Sequence, residues 1–549
     1  MNNRKGAPVF RSASILLAAL ALLPIASCHW IEIDHKPAIP EIVVKQEALI
    51  PKEGAAQIGV PTTGTLSLTV EKAIVLLLQN NSSLMVDKIN PAIRKTAEAD
   101  ARAVFDPTLS AAYNESRAQI TQTMTASAPT KTEKVTVTSR SRDYNGNVGI
   151  SEFLPTGTSL DLTFTGDRTV TGSHQDNPNV ANSDVSITQK LLKGMGLNVN
   201  LASLRQAKID TLSSEYELRG FTMALVAQLE NAYWDYLLAQ KQIKIFDDSL
   251  GIAESQLRET QERIKIGKIA ESEHFAAEAE VASRREGLID ARAALDKARL
   301  NLLQLLNPNG QLLHDRNVVL LSEPVLPTAP VSNVNDHVTL ALRIRPDLNQ
   351  ARLSVKRNEL DIVKTKNGVL PELDLFINLG NTGYADSFNG STDDLFDGKS
   401  HNRQIGLQLN YALGNRAARA DYRRALLSHD QALAALANMN QLAVQDVRNA
   451  HIEANRVREQ VSATRVTRLL QEKTLETERE KLRVGKSTLL LVAQAERDLL
   501  TSQINEVQAF VSCLKALVNL YRLDGSLLER RGIACPGSEP VTSPEFGSM

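Results

Sequence analysis

From Arg416 to Leu523 charged and small apolar residues recur at helical spacing, with no proline and one break, at Val484-Gly485-Lys486. Ala, Leu, Arg, Glu and Gln dominate, the residues that lose least side-chain entropy in a helix. The pattern predicts one long helical hairpin. Its first arm, 416–484, has 69 residues, which is roughly 100 Å at about 1.5 Å per residue. In the return arm Leu500, Ile504, Val507, Val511, Leu514, Val518 and Tyr521 recur at steps of 4, 3, 4, 3, 4 and 3. That is a heptad seam for coiled-coil packing, and a rod of this length needs a partner rod.

Elsewhere the period changes to two. Leu373, Leu375, Ile377 and Leu379 share one face of a stretch, and Ile405, Leu407, Leu409, Tyr411 and Leu413 share a face of another, with a Gly, Asp and Asn-rich loop at 380–401 between them. Each is about ten residues, the length of a tilted transmembrane strand. The first half offers matching strands at 107–116, with Leu109, Ala111 and Tyr113 on one face, and at 183–192, with Val185, Ile187 and Leu191. An amphipathic hairpin at about 144–170 turns at Leu154-Pro155-Thr156-Gly157. It reads as an elaboration outside a minimal four-stranded set; the other reading is that it adds strands. Helical patterns precede each pair, over Ser67 to about Val104, where Pro91 predicts a kink, and over 335–368.

The chain repeats itself. Gly267 in Ile266-Gly267-Lys268 aligns with Gly485 at an offset of 218, as do Ala207 with Ala425, Gly196 with Gly414 and Leu302 with Leu520. Upstream the offset is 264, from Pro107-Thr108-Leu109 to Pro371-Glu372-Leu373 and from Leu84 to Leu348. This is a tandem duplication. The first copy therefore carries 46 extra residues, 264 minus 218, between Pro107 and Gly196.

Lengths then suggest a layout. The return arm 487–523 and the helix 335–368, end to end, match the 69-residue arm, with the proline-rich segment 307–334 as a crossover at mid-height. All strands would lie at one end and both glycine turns at the other. A soluble half-buried sheet alternates in the same way. In lipid, however, four strands cannot close a barrel, and an open edge leaves backbone groups unpaired. Several chains would then share one barrel.

Charge narrows the function classes: 62 basic against 63 acidic residues give no drive towards nucleic acid. The low aromatic content, 4%, suits long helices with Leu and Ala seams. At the N-terminus Arg4 and Lys5 precede the eleven apolar residues Ile15 to Ile25, then Ile25-Ala26-Ser27-Cys28. Eleven are too few to span a bilayer, so residues 1–27 read as an export signal. The last four residues resemble a bacterial lipobox, which implies cleavage before Cys28 and its acylation. The alternative is an ordinary signal peptide with an incidental cysteine. His29, not Asp, follows Cys28, which favours the outer membrane. Residues 28–65, with four prolines, read as an extended tether. Cys513 sits in an apolar stretch of the last helix and reads as a buried thiol.

Two enzyme-like signals fail. Gly485-Lys486-Ser487-Thr488 ends like a phosphate-binding loop, but Glu480 stands where that loop needs Gly and no strand precedes it. His274 with Glu271 and Glu273, and His451 with Glu453, lie on charged helical faces without a metal ligand set. No catalytic residue, metal or cofactor is expected.

Duplicated halves, Pro-x-Leu opening a strand, Gln189-Lys190-Leu191-Leu192-Lys193-Gly194 before the first long helix and Tyr411-Ala412-Leu413-Gly414-Asn415-Arg416 before the second resemble the TolC-type outer-membrane efflux factor family. The resemblance covers roughly residues 65–525. It implies an α+β membrane protein, a homotrimer whose shared transmembrane β-barrel of twelve strands continues into a helical periplasmic tunnel. The expected organisation is a first repeat at 66–306 (strands 107–192, hairpin 201–306), a crossover at 307–334, a second repeat at 335–525 (strands 371–413, hairpin 416–523) and a tail at 526–549. The implied location is the outer membrane, lipid-anchored and barrel-inserted. The implied partners are a periplasmic adaptor (membrane fusion) protein, an inner-membrane pump of RND, ABC or MFS type and outer-membrane lipid, with no nucleic acid. The role would be a passive conduit in tripartite efflux or type I secretion. The competing class is a trimeric coiled-coil spacer or surface protein without transport.

The resemblance also gives meaning to the turns. Ile266, Gly267, Lys268 and Val484, Gly485, Lys486 resemble the Val-Gly turns at the periplasmic tip, which the adaptor engages; more plainly, Gly is what reverses a helix. Beyond the second turn, positions six and nine after Gly485 are Leu491 and Gln494, where relatives carry an acidic ring, and Leu490 matches the leucine constriction of others. An apolar gate at Leu490 and Leu491 is therefore expected, closed by packing and dewetting. The alternative is that these leucines are seam residues.

Overall fold

The computed structural model describes residues 38–44, 65–128, 131–171, 179–306, 316–322 and 331–541. In chain order the helices are α1 (Val70–Asn80), α2 (Ser82–Ala103), α3 (Leu197–Asn200), α4 (Ala202–Lys265), α5 (Ser272–Leu306), α6 (Val334–Ile344), α7 (Pro346–Gly368), α8 (Phe388–Asp397), α9 (Arg416–Arg483), α10 (Leu489–Leu523) and α11 (Leu527–Arg530). The strands are β1 (Val43–Val44), β2 (Leu66–Leu68), β3 (Thr108–Ala128), β4 (Lys131–Leu154), β5 (Thr158–Thr171), β6 (Asn179–Lys190), β7 (Val318–Leu320), β8 (Glu372–Ala385), β9 (Ser400–Asn410) and β10 (Ile533–Ala534). They form two compact units, one holding Lys95–Lys208 and Arg357–His429, the other Ile39–Arg94, Ile209–Lys356 and the chain from Asp430 onward.

The first unit is built on one antiparallel sheet in the order β3-β4-β5-β6-β8-β9. Here the structure corrects the expectation of four strands per chain: the 144–170 hairpin is not an outside elaboration but enters the sheet as β4 and β5, between β3 and β6. The β4–β5 hairpin accounts for most of the 46-residue surplus of the first repeat. Its turn is tight because Gly157 takes φ +89°, a left-handed value that suits glycine, and donates to the Leu154 carbonyl.

In the second unit one hydrophobic core draws several of the helices together. Leu76 and Leu77 of α1, Leu218, Val226 and Tyr233 of α4, Leu302 of α5 and Val511, Leu514 and Val518 of α10 meet there. Of the seven seam residues read from the heptad pattern, Val511, Leu514 and Val518 thus face this core, with Tyr521 packed at its edge. Buried tyrosines tie the helices to the parallel β2–β7 ribbon: Tyr233 donates to the Leu68 carbonyl at 3.2 Å and Tyr236 to the Val318 carbonyl at 3.0 Å. The C-terminal segment is held by Arg531, whose guanidinium donates twice to the buried Glu230 carboxylate, at 2.7 and 2.6 Å. A charged side chain so buried needs such a two-point partner.

One further expectation changes. Each helix preceding the strands is broken, and at matching places: Asn81 and Arg345 lie 264 residues apart and both adopt extended backbone, with ψ 117° and 125°. In the first copy the Asn81 side-chain oxygen accepts from the Leu84 amide at 3.0 Å and restarts the helix as a cap would. In the second, Pro346 drives Arg345 out of the helical region and opens α7. Pro91, the predicted kink, lies inside α2.

Candidate functional site

Both glycine turns have one geometry. Gly267 and Gly485 take φ +71° and +75°. Lys268 donates its amide to the Arg263 carbonyl at 2.9 Å and Gly267 to Ile264 at 2.8 Å; Lys486 donates to Lys481 at 2.8 Å and Gly485 to Leu482 at 3.1 Å. This paired pattern satisfies the last carbonyls of each descending helix and requires a left-handed residue at its pivot. Beside the pivots Ile266 and Val484 stand 63% and 61% exposed, with Lys268 and Lys486 exposed next to them. No core claims these apolar side chains within the chain. Groups of the apparent phosphate loop are used locally: Ser487 donates to Glu478 at 2.7 Å, and the Thr488 hydroxyl caps α10 by accepting from Leu491.

Leu490, Leu491 and Gln494 follow on the first turns of α10, all exposed in the chain, the leucines at 59% and 46%. The seam beside them is made by Val492 and Ala495 with Leu475 of α9, and by Leu482 and Leu499 at its margin. The two leucines therefore stand off the intrachain seam. One turn further along α10, Glu496 is buried and accepts from Gln256 of α4 at 2.6 Å and from Arg479 of α9 at 2.7 Å. Sequence reading missed this clasp. Its signal is a lone acid among Val492, Ala495 and Leu500, at seam spacing.

The sheet of the first unit separates its faces. One row of facing partners runs Leu109, Ile150, Leu162, Val185, Leu379, and the next Leu160, Ile187, Ile377, Ile405. Leu375 faces Leu407 and Leu373 faces Leu409 on the same side. The opposite face carries rows such as Ser151, Asp161, Ser186, Asn378, Gln404. There Ser186 donates to Asn378 at 2.7 Å. By alternation Asp161, Asp184, Glu372 and Asp374 share this polar side, with Lys190 bonded to Glu372 at 3.3 Å. Helix α8 rests on the apolar-row side, where Gly383 is indispensable: a Cβ there would lie 2.0 Å from the Ser391 carbonyl oxygen.

The remaining chemistry is structural. His274 is bonded to Glu278 at 3.2 Å, and His451 Nε2 donates to the Ser332 carbonyl at 3.0 Å. Among the described residues no group of three or more His, Cys, Asp or Glu could hold a metal ion. Ser332, His337 and Asp524 are aligned as in a hydrolytic relay, at 2.7 Å for each bond, which the sequence reading did not find. The aspartate is the C-cap of α10 and also accepts from the Ser526 amide and hydroxyl. The histidine thus fastens α6 to the end of α10. Cys513 and Cys535 are free and buried, and burial pushes the Cys535 thiol up to about 11. Cys28 lies outside the described residues.

Comparison with known proteins agrees with this geometry. The family model described as outer membrane efflux protein matches residues 73–308 and 338–526. The probable efflux pump outer membrane protein TtgC of Pseudomonas putida is 24% identical over 343 residues, covering 60% of this chain and 67% of that one. The proteases secretion protein PrtF of Dickeya chrysanthemi is 21% identical over 406 residues, covering 70% of this chain and 82% of its own. In fold the chain is similar to the solved outer-membrane channel OprN, with a TM-score of 0.62 at 18% identity over 83% of this chain and 90% of that one. With both repeats matched by the family model, this chain belongs to the outer membrane efflux protein family.

Proposed function

We infer that the chain is the outer-membrane channel of a tripartite efflux or type I secretion system, a passive homotrimeric conduit. It would dock to a periplasmic adaptor and, through it, to an inner-membrane pump. The observation that carries this reading is the antiparallel sheet with one apolar and one polar face, whose outer strands β3 and β9 each have one neighbour among the described residues. Such a sheet suits lipid on one side and water on the other, and closes only with further copies. Exposed Ile266 and Val484 at the two turns supply an apolar surface for the adaptor. Leu490 and Leu491, free of the seam, are placed to meet their copies as an apolar gate, with Gln494 in the position of a weaker polar ring.

No enzymatic step is assigned. The Ser332, His337 and Asp524 alignment is spent on holding α6 and α10 together. Cys28 is the acylation site, adding a lipid anchor to the barrel; Cys28→Ser should leave the signal poorly processed and the protein unacylated by mass spectrometry. A mature N-terminus elsewhere would contradict that.

The conduit reading is tested in the native host by deleting the gene and measuring retention of a fluorescent pump substrate. Deletion should raise retention, and the wild-type chain should restore it. Unchanged retention of every pump substrate, with altered envelope spacing, would favour the spacer reading instead.

A further inference from the structure

We propose that three copies of this chain close an eighteen-stranded barrel, each giving six strands, with β9 of one copy pairing with β3 of the next. The proposal rests on the channel reading and fixes the width of its wall. Three observations carry it.

The first is continuity of pairing. β4 pairs with β5 over Ser141–Leu154 and β5 with β6 over Thr158–Arg168, so the inserted hairpin is stitched into the middle of the sheet rather than hung from it. Taking it out of the wall would break both the β3–β4 and β5–β6 ladders.

The second is the belt. Ile150 of β4 and Leu162 of β5 bridge Leu109 of β3 to Val185 of β6 and Leu379 of β8; Val148 faces Phe164 beside that row, and Leu160 of β5 leads the row through Ile187 and Ile377 to Ile405, with Glu152 as its β4 partner. On the other face Asn147, Gly149 and Ser151 of β4 and Asp161, Thr163 and Thr165 of β5 continue the polar rows. A hairpin standing in water gains nothing from a face of Val, Ile, Leu and Phe; a wall strand in lipid requires one.

The third is direction. Neighbours in the order β3-β4-β5-β6-β8-β9 are all antiparallel, so β3 and β9, the ends of an even set, run oppositely. A second copy placed beside either edge therefore continues the same antiparallel pattern. Among the described residues the outward backbone groups of those two edges have no partner strand, and lipid offers none. The apolar rows reach both edges, at Leu109 and Tyr113 and at Ile405, Leu407 and Leu409.

Barrel diameter grows roughly linearly with strand number, so a wall of eighteen encloses about 2.3 times the cross-section of a wall of twelve. Barrels of that size hold an open aqueous channel. Bulkier cargo could cross it than a twelve-stranded wall admits.

The test is cryo-electron microscopy of the full-length protein in lipid nanodiscs, together with two single-cysteine probes. Eighteen strands around the threefold axis are expected. Leu162→Cys should react with a lipid-soluble maleimide and resist a water-soluble one, and Thr163→Cys should do the reverse. A trimer with a twelve-stranded wall, and both cysteines equally open to the water-soluble reagent, would overturn the proposal and leave the channel reading standing. Particles with no membrane barrel would overturn both.

Discussion

Gln256 on α4 donates to the Glu496 carboxylate on α10 at 2.6 Å, joining the first helical hairpin to the second one turn beyond the candidate gate. Arg479 of α9 reaches the same oxygen. Removing the buried Glu496 leaves the half-buried Gln256 amide without its partner, at about 1 kcal/mol, while the exposed Arg479 turns to water. Glu496→Ala should lower the melting temperature and raise the closed-state current in planar bilayers. Glu496→Gln, which keeps one acceptor, should fall between. A variant with wild-type melting and current would show the clasp to be idle.

The gate makes a separate prediction. Leu490 and Leu491 are exposed in the chain, so replacing both with Ser should cost little folding stability within it. If the leucines converge in the trimer, the variant loses its dewetting barrier and conducts. The current should favour potassium over chloride, because Asp161, Asp184, Glu372 and Asp374 outnumber Lys190 on the polar face of the sheet. Unchanged conductance at unchanged trimer level would place the gate elsewhere.

How much of this was legible in the sequence follows from which interactions decide each feature. The helical hairpins, their glycine pivots and the duplication are local patterns, and Gly267 and Gly485 turn the chain where the repeat puts them. Helix breaks at Asn81 and Arg345 were missed because the apolar period runs straight through them; the break is set by one side-chain cap and by Pro346. Alternation in 144–170 showed strands but not their neighbours, since pairing of Leu160 with Ile187 is a tertiary choice. His337 could not be joined to Asp524 from sequence, 187 residues away.

Two glycines of different kinds should answer substitution differently. At Gly485 a Cβ meets nothing within 4 Å, so Gly485→Ala carries only the left-handed backbone penalty, about 1 kcal/mol. At Gly383 the same change drives a methyl into the backbone of α8 and should displace that helix from the sheet. Thermal melts should show a small loss for the first. For the second, protease sensitivity within 386–399 should rise; equal behaviour of the two would contradict the packing of α8.

Cys535 gives a pH signature. Burial pushes its folded pKa up to about 11, above the ordinary thiol value of 9.0. The unfolded chain therefore ionises first as pH rises, and the stabilisation from keeping the thiol neutral, present below pH 9, is lost between about 9 and 11, up to about 3 kcal/mol. Wild type should lose melting temperature over that range faster than Cys535→Ala. Parallel curves would mean the thiol is not buried.

The shared barrel and tunnel stand or fall with subunit number. Mass photometry of the detergent-extracted protein, alongside circular dichroism for its strands, reads that number directly. Three chains per particle with strand signal intact are expected. A folded monomer with the same strand signal would contradict a channel built from several copies.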